Sequence, residues 1–366
     1  MSAITAGSVH AFYLFDVAQA IDLAVLRAQF GERAGVAQLL DKTPGPPRVR
    51  YFQPPVIVDG AAVGVPTLSG FRVRVKFFDY GVISLMLSQP FAGSWSDLVR
   101  LGQDLIESEP LETEAAAACV RVVEAARAAL TEVRATFLSE DYLAFVVSAL
   151  APPETAENVC ARHGAEIAQL LRGERQPLSA QEREEVLRHR LSYLTDDLVV
   201  PAYNAAFVLD SDQAALASLE ILEFVNSQLL EFRFHDELLE SELTAIYTAV
   251  QQPSWVDRWF GRRHTQSARR VHSLFIDVNE LTDRMENSVK LVGDLYSARL
   301  FNLAAARVGL DAWKRNVEDK LETLDDIYRF AVEQVSISRG HLLELTIVLI
   351  LVARFAVLRY RDKQAA

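Results

Sequence analysis

Apolar and polar side chains alternate most cleanly over Phe71 to Phe78. Val73, Val75 and Phe77 fall on one face, and Arg72, Arg74 and Lys76 on the other. A period of two belongs to a strand with one wet face. Asp79-Tyr80-Gly81 follows as a turn signal, and Gly81 to Leu87 returns as a second strand. Upstream, Ser8 to Phe15 alternates and is rich in aromatics, which predicts the first strand. Asp16 to Phe30 then reads as a helix stopped by Gly31. Thr43 to Arg48 is a loop, and Val49 to Asp59 is a short strand broken by Pro54 and Pro55. Ser94 to Glu107 reads as a helix with a box-like Ser94 and Asp97 start. Ala115 to Phe137 reads as a longer helix and Asp141 to Ala149 as another strand. The order is β-α-β-β-α-β, a ferredoxin-like α+β pattern with insertions. Helices and short strands follow from Glu154, with Asp196 to Leu209 as a hairpin, so the α+β domain is expected over residues 1–210.

After Asp210 the period lengthens. Leu222, Val225, Leu229, Phe232, Leu239, Leu243, Ile246 and Val250 keep an alternating three-to-four spacing that only Asp236 breaks. Leu274, Val278, Leu281, Met285, Val292 and Leu295 form a second seam, interrupted by Ser288. Trp313, Val317, Leu324, Ile327 and Ala331 form a third, with Lys320 in one slot. Such spacing puts a narrow apolar stripe along each helix. Residues 211–340 therefore read as a mostly helical, coiled-coil-like stalk. The stripes fit an antiparallel bundle within one chain or pairing between copies, and homo-oligomers are expected from the second alternative. Asp236, Ser288 and Lys320 would then set the register.

The last segment, 341–363, reads as a C-terminal transmembrane helix. Leu342 to Leu358 is a mostly apolar run, with Glu344 and Arg354 near its ends and Arg359-Tyr360-Arg361-Asp362-Lys363 behind it. As a helix it measures roughly 25 Å, against about 30 Å for a bilayer core. A helix packed into a protein partner or oligomer is the alternative.

Charge narrows the partners. The chain has 366 residues and a formal net charge of −12, which disfavours nucleic-acid binding by the whole surface. Against that background, Gln251 to His272 holds five arginines and one acid, Asp257, with Trp255, Trp259 and Phe260 among them. Trp255, Arg258, Trp259, Arg262, Arg263, Arg269 and Arg270 are thus a candidate contact surface. Interleaved rings and guanidiniums suit an anionic headgroup layer, and also RNA. The plain structural alternative is a helix connection whose tryptophans pack under the bundle. Cys119 and Cys160 have no metal-like spacing and fit two reduced thiols. The N-terminus has no secretory signal pattern, so the main domain is expected in the cytoplasm, on a C-terminal membrane anchor.

Motifs of catalysis are missing. There is no Walker loop, no G-x-G-x-x-G after a strand and no G-x-S-x-G elbow. Glu231, His235 and Glu242 lie on one predicted helix, but a solvated acidic face explains them better than a metal site. Asp196-Asp197 suits a turn or helix cap better than acid–base work. No catalytic, cofactor or metal residue is assigned. The function expected is that of a non-enzymatic, membrane-anchored structural or assembly protein. The alternative is a soluble binding module, RNA- or ribosome-associated in one version.

Ala20-Ile21-Asp22-Leu23 after the first strand, Phe78-Asp79-Tyr80-Gly81-Val82-Ile83 in the hairpin, Pro253-Ser254-Trp255 between two long helices and Leu343-Glu344 at the terminal run occur in one order. That order resembles the required-for-meiotic-nuclear-division family. The resemblance implies a membrane-anchored protein without known catalysis, whose mitochondrial relatives support organellar translation from the inner membrane. Two features depart from the family pattern: Arg354 stands where an acidic residue is usual, and the aromatics around Trp255 match in part.

Overall fold

The first strand is longer than its aromatic centre requires. β1 spans Ala3–Ile21 and forms the axis of the sheet, with β6 (Val82–Gly93) antiparallel on one side and β7 (Leu130–Ala151) antiparallel on the other. The computed structural model describes residues 2–31, 34–36, 53–106, 108–251, 276, 278–279, 295–327 and 329. Two compact units are distinguished: Met1–Phe234 with Thr282–Lys314, and His235–Leu281 with Arg315–Ala366.

The first unit is a mixed α/β structure. β2 (Ala34–Val36), β3 (Val56–Asp59), β4 (Thr67–Leu68), β5 (Phe71–Phe77), β8 (Leu198–Pro201) and β9 (Ala205–Leu209) complete its nine-stranded sheet. The order is β2-β3-β5-β6-β1-β7-β9-β8, with β4 paired to β5. Every pairing is antiparallel except β7 with β9.

One sheet face carries Val9, Tyr13, Phe15, Val73, Val75, Phe77, Leu85 and Phe145. They form a core with buried side chains of α1 (Leu23–Phe30), α2 (Trp95–Ile106), α3 (Glu109–Ala125), α4 (Ala156–Arg172) and α5 (Ala180–Arg188). The opposite face buries Phe12, Leu14, Tyr142, Ala144 and Val146. There α6 (Asp212–Gln251) reaches the sheet: Glu223 pairs with Lys76, Ser227 bonds Tyr80 at 2.7 Å, and Arg233 pairs with Glu140. From Ile221 to Phe232 every residue of α6 is buried, including Glu223, Asn226, Ser227, Gln228 and Glu231. α7 (Leu295–Arg307) packs on the same unit, with the Phe301 ring 6.1 Å from that of Phe224.

Local chemistry explains most boundaries. Asp22 caps α1, accepting from Ala24 N at 2.9 Å and Val25 N at 3.1 Å, so the helix starts at Leu23 rather than Asp16. Residues 16–21 stay in the strand because β7 pairs with them across a bulge between Asp16 and Ala18. Ser94 and Asp97 form the expected capping box, each side chain meeting the other's backbone N–H at 3.2 Å. The predicted helix over 115–137 is two elements. α3 ends at Ala125, and Leu130 onward joins β7, pairing Leu130 with Ile21 and Val133 with Ala18. Helix propensity loses there to a strand partner.

In the second unit, Leu239 and Leu243 of α6 and Val317, Leu321 and Leu324 of a helix over 310–327 are buried. The described seam residues, from Leu222 to Leu243 and at Val317 and Leu324, are thus already covered within one chain. These buried residues lend the coiled-coil reading no support, whereas Leu295 of the second seam is exposed. Membrane localisation is corrected. Among the described residues no helix is long and apolar enough to cross a membrane, and Leu342 to Leu358 lies outside them.

Candidate interaction surface on the 190–198 loop

The basic-aromatic surface expected at Trp255, Arg258, Trp259, Arg262, Arg263, Arg269 and Arg270 lies outside the described residues. Another constellation is built by the loop between α5 and β8. Leu191 makes an antiparallel bridge to Val199, N to O at 2.8 Å both ways, which covers the free edge of β8. The chain then turns outward. Asp197, itself buried, folds back and accepts from Tyr193 N at 2.9 Å and from Leu194 N. This is an Asx-type arrangement, in which a carboxylate substitutes for backbone partners. The loop is also tied to α4, with Ala156 N on Thr195 O at 2.8 Å.

With its backbone pinned, the loop presents apolar side chains to water. Tyr193 is 73% exposed and Leu194 63%. Leu295, at the start of α7, is 77% exposed, and its neighbour Tyr296 sets its ring edge-on to Tyr193 with centroids 5.7 Å apart. Two stretches of sequence far apart in the chain thus meet in one patch. Its rim is acidic. Asp196 is exposed, and Asp210, at the end of β9, is half-buried. Burial first, then the charges of Asp197 and Asp196, push the Asp210 carboxyl above the usual range. Burial, then the charges of Asp197 and Asp210, push the Tyr296 hydroxyl up as well. Among the described residues none of Asp196, Asp197 and Asp210 takes part in an ion pair.

Behind the loop lies a cavity of about 470 Å³, lined by Ala156, Glu157, Cys160, Leu187, Arg190 and Ser192 among others. Burial raises the Cys160 thiol, with Arg190 offsetting part of the effect, so the group is a protonated thiol rather than an activated nucleophile. Cys119 and Cys160 are both free.

Elsewhere, one arrangement approaches a nucleophile–base pair. Ser2 Oγ lies 3.1 Å from His163 Nε2, and Glu166 lies 3.7 Å from His163 Nδ1. The Ser2 hydroxyl is bonded to the Glu154 carboxylate, which it and Arg162 hold below the usual range. The His163 ring lies stacked 4.3 Å from Trp95 in the core. This geometry pins the strand to the helices. Among the described residues no group of three His, Cys, Asp or Glu side chains could hold a metal ion.

The sequence pair Asp196-Asp197 suits a turn or helix cap, and Asp197 plays the turn part. The apolar patch was not legible. Tyr193 and Leu194 belong to no periodic segment, and Tyr296 lies a hundred positions away.

Comparison with known proteins adds a family but no activity. Residues 6–215 match the profile described as the N-terminal domain of the uncharacterized protein MJ0711. That stretch includes the loop, Asp196, Asp197 and Asp210, and excludes Leu295 and Tyr296. The uncharacterized protein MJ0711 of Methanocaldococcus jannaschii is 26% identical over 182 residues, which is 50% of this chain and 55% of the relative. The chain thus spans about half the length of the curated relative it matches. No solved structure matches it. The resemblance to the required-for-meiotic-nuclear-division family is overturned by this match. Two of its four segments, at Pro253 and Leu343, also lie outside the described residues. The other two have local explanations: Asp22 is a helix cap, and Gly81 is required by its turn.

Proposed function

This chain belongs to the family of the uncharacterized MJ0711 N-terminal domain, and from that premise we propose that it is a non-enzymatic binding module that meets a protein partner through the 190–198 loop. A family described only as uncharacterized transfers no activity, so the reading rests on the site. The carrying observation is the joint exposure of Tyr193, Leu194 and Leu295 on a loop that Asp197 holds in place. Large apolar side chains on a rigid surface, ringed by polar groups, mark interfaces. Tyrosine is also a frequent anchor of binding energy.

The buried polar groups support the same reading. Lys76 with Glu223, Asp16 with Arg134 and Glu140 with Arg233 are matched to one another inside the fold, as structural ion pairs are. The carboxylates of Asp196 and Asp210 disfavour nucleic acid at this surface.

A photo-reactive benzoylphenylalanine in place of Tyr193, introduced in cells that make the protein, tests the reading. A covalent protein adduct is expected there and not from the same residue at Val120, which is 52% exposed on α3. Equal adducts from both positions, or none from 193, would refute the site.

A further inference from the structure

We propose that the occupant of this surface is a basic segment of a partner protein, one that sets arginine or lysine beside a bulky apolar side chain; this rests on the binding-module reading above. The patch has two parts that a single ligand must satisfy. Tyr193, Leu194 and Leu295 offer apolar contact area. Asp196 and Asp210 offer negative charge beside it. The third carboxylate, Asp197, is committed to the loop backbone.

An ordinary protein surface would answer these charges with its own lysines or arginines, and this chain does so elsewhere. Arg100 sits on Asp97, Arg172 on Glu182, Arg188 on Glu185 and Arg329 on Asp325. No such cation answers Asp196 or Asp210 among the described residues. Across the loop, the cavity wall carries Arg190 together with Glu157, which sum to no net charge. A negative site next to an apolar one, on a pinned loop, is complementary to a cationic and apolar ligand. Charge complementarity sets the partner and the encounter rate, and apolar burial supplies the affinity.

The occupant differs from an acidic or purely apolar one in a measurable way. Two short fluorescein-labelled peptides serve as probes, one of leucine, tryptophan and arginine, the other with glutamate replacing arginine. Anisotropy is read against the full chain and its variants. Asp196→Asn with Asp210→Asn preserves shape and the Asp210 bond to Ser211 N. It is expected to weaken the arginine peptide about tenfold, the loss of roughly 1.4 kcal/mol. Glu109→Gln with Glu124→Gln removes equal charge from exposed positions on α3 and is expected to change nothing. Tyr193→Ser with Leu194→Ser is expected to weaken binding as well. If the α3 variant loses as much as the loop variant, the attraction is to the chain's general charge and the proposal is wrong. If the glutamate peptide binds equally well and depends on Tyr193 and Leu194, the basic occupant is wrong while the surface stands as a binding site. If neither peptide responds to Tyr193→Ser with Leu194→Ser, the proposal and the reading beneath it both fall.

Discussion

Lys320 Nζ lies 3.0 Å from Asp236 Oδ1 and 2.8 Å from Glu240 Oε2. Asp236 and Lys320 are the polar residues that interrupt two otherwise apolar seams, and the fold brings them together. Partial burial works against the lysine charge. The hydrogen bonds of Glu240 and Asp236 outweigh it and hold the Lys320 pKa above the usual lysine range. A double cycle of Lys320→Leu and Asp236→Leu reads the pair by urea unfolding. Lys320→Leu strands Asp236 against an apolar stripe and should cost about 1–3 kcal/mol, and Asp236→Leu should cost less because Glu240 still holds Lys320. The double change completes the stripe and should recover most of that loss.

Gly81 closes the β5–β6 turn with φ +96°, and a Cβ there would lie 1.8 Å from the Ala18 carbonyl oxygen. Gly81→Ala should therefore cost about 3 kcal/mol or more, since both the backbone and the neighbouring strand must move. Gly64, at φ +77°, has nothing within 4 Å. Gly64→Ala should cost only the left-handed strain, about 1–2 kcal/mol. Thermal unfolding of the two variants, side by side, separates crowding from conformational strain.

Much of the fold could be read because its causes are local. The alternation at Arg72, Arg74 and Lys76, the turn at Gly81 and the box at Ser94 each need only a few neighbouring residues. Lys76 shows where that stops. Its period places it with the exposed Arg72 and Arg74, yet it is buried, because Glu223 of α6 arrives from far along the chain. Leu130 to Phe137 departs from its helical pattern for a similar reason: only the pairing with β1 makes it a strand. The interaction patch depends on Tyr193, Asp210 and Leu295 meeting, which no local period announces.

His10 should make the protein sensitive to acid. It is buried, with Ser8 Oγ 2.8 Å from Nε2, and burial, then Arg74, lowers its pKa from 6.5 to about 4. The unfolded chain thus binds a proton between those values that the folded one does not. Stability is full above pH 6.5 and falls as pH drops toward 4, by on the order of 3 kcal/mol for this group. Asp16, raised to about 6 by burial against the pull of Arg134, acts in the opposite sense. Comparison with His10→Asn isolates the histidine: the variant should lose less stability than the parent between pH 6.5 and 4.

Asp210 should be costly to the fold. Its carboxyl is raised by burial and by Asp197 and Asp196, so the charged form is disfavoured in the folded state. Asp210→Asn should raise the urea midpoint at neutral pH. The gain should shrink as pH falls and the parent carboxyl takes up its proton. A loss of stability at neutral pH would mean that the charge is needed structurally.

The central claim is that Tyr193, Leu194 and Leu295 serve recognition rather than folding. It is tested most directly by measuring stability and crosslinking on one variant. Benzoylphenylalanine is placed at Leu194, with Tyr193→Ser and Leu295→Ser as the changes compared. Because both residues are exposed, the unfolding midpoint should stay within about 0.5 kcal/mol of the parent, while the protein adduct at position 194 is lost. An adduct that survives both changes, or a midpoint that falls along with it, would contradict the account.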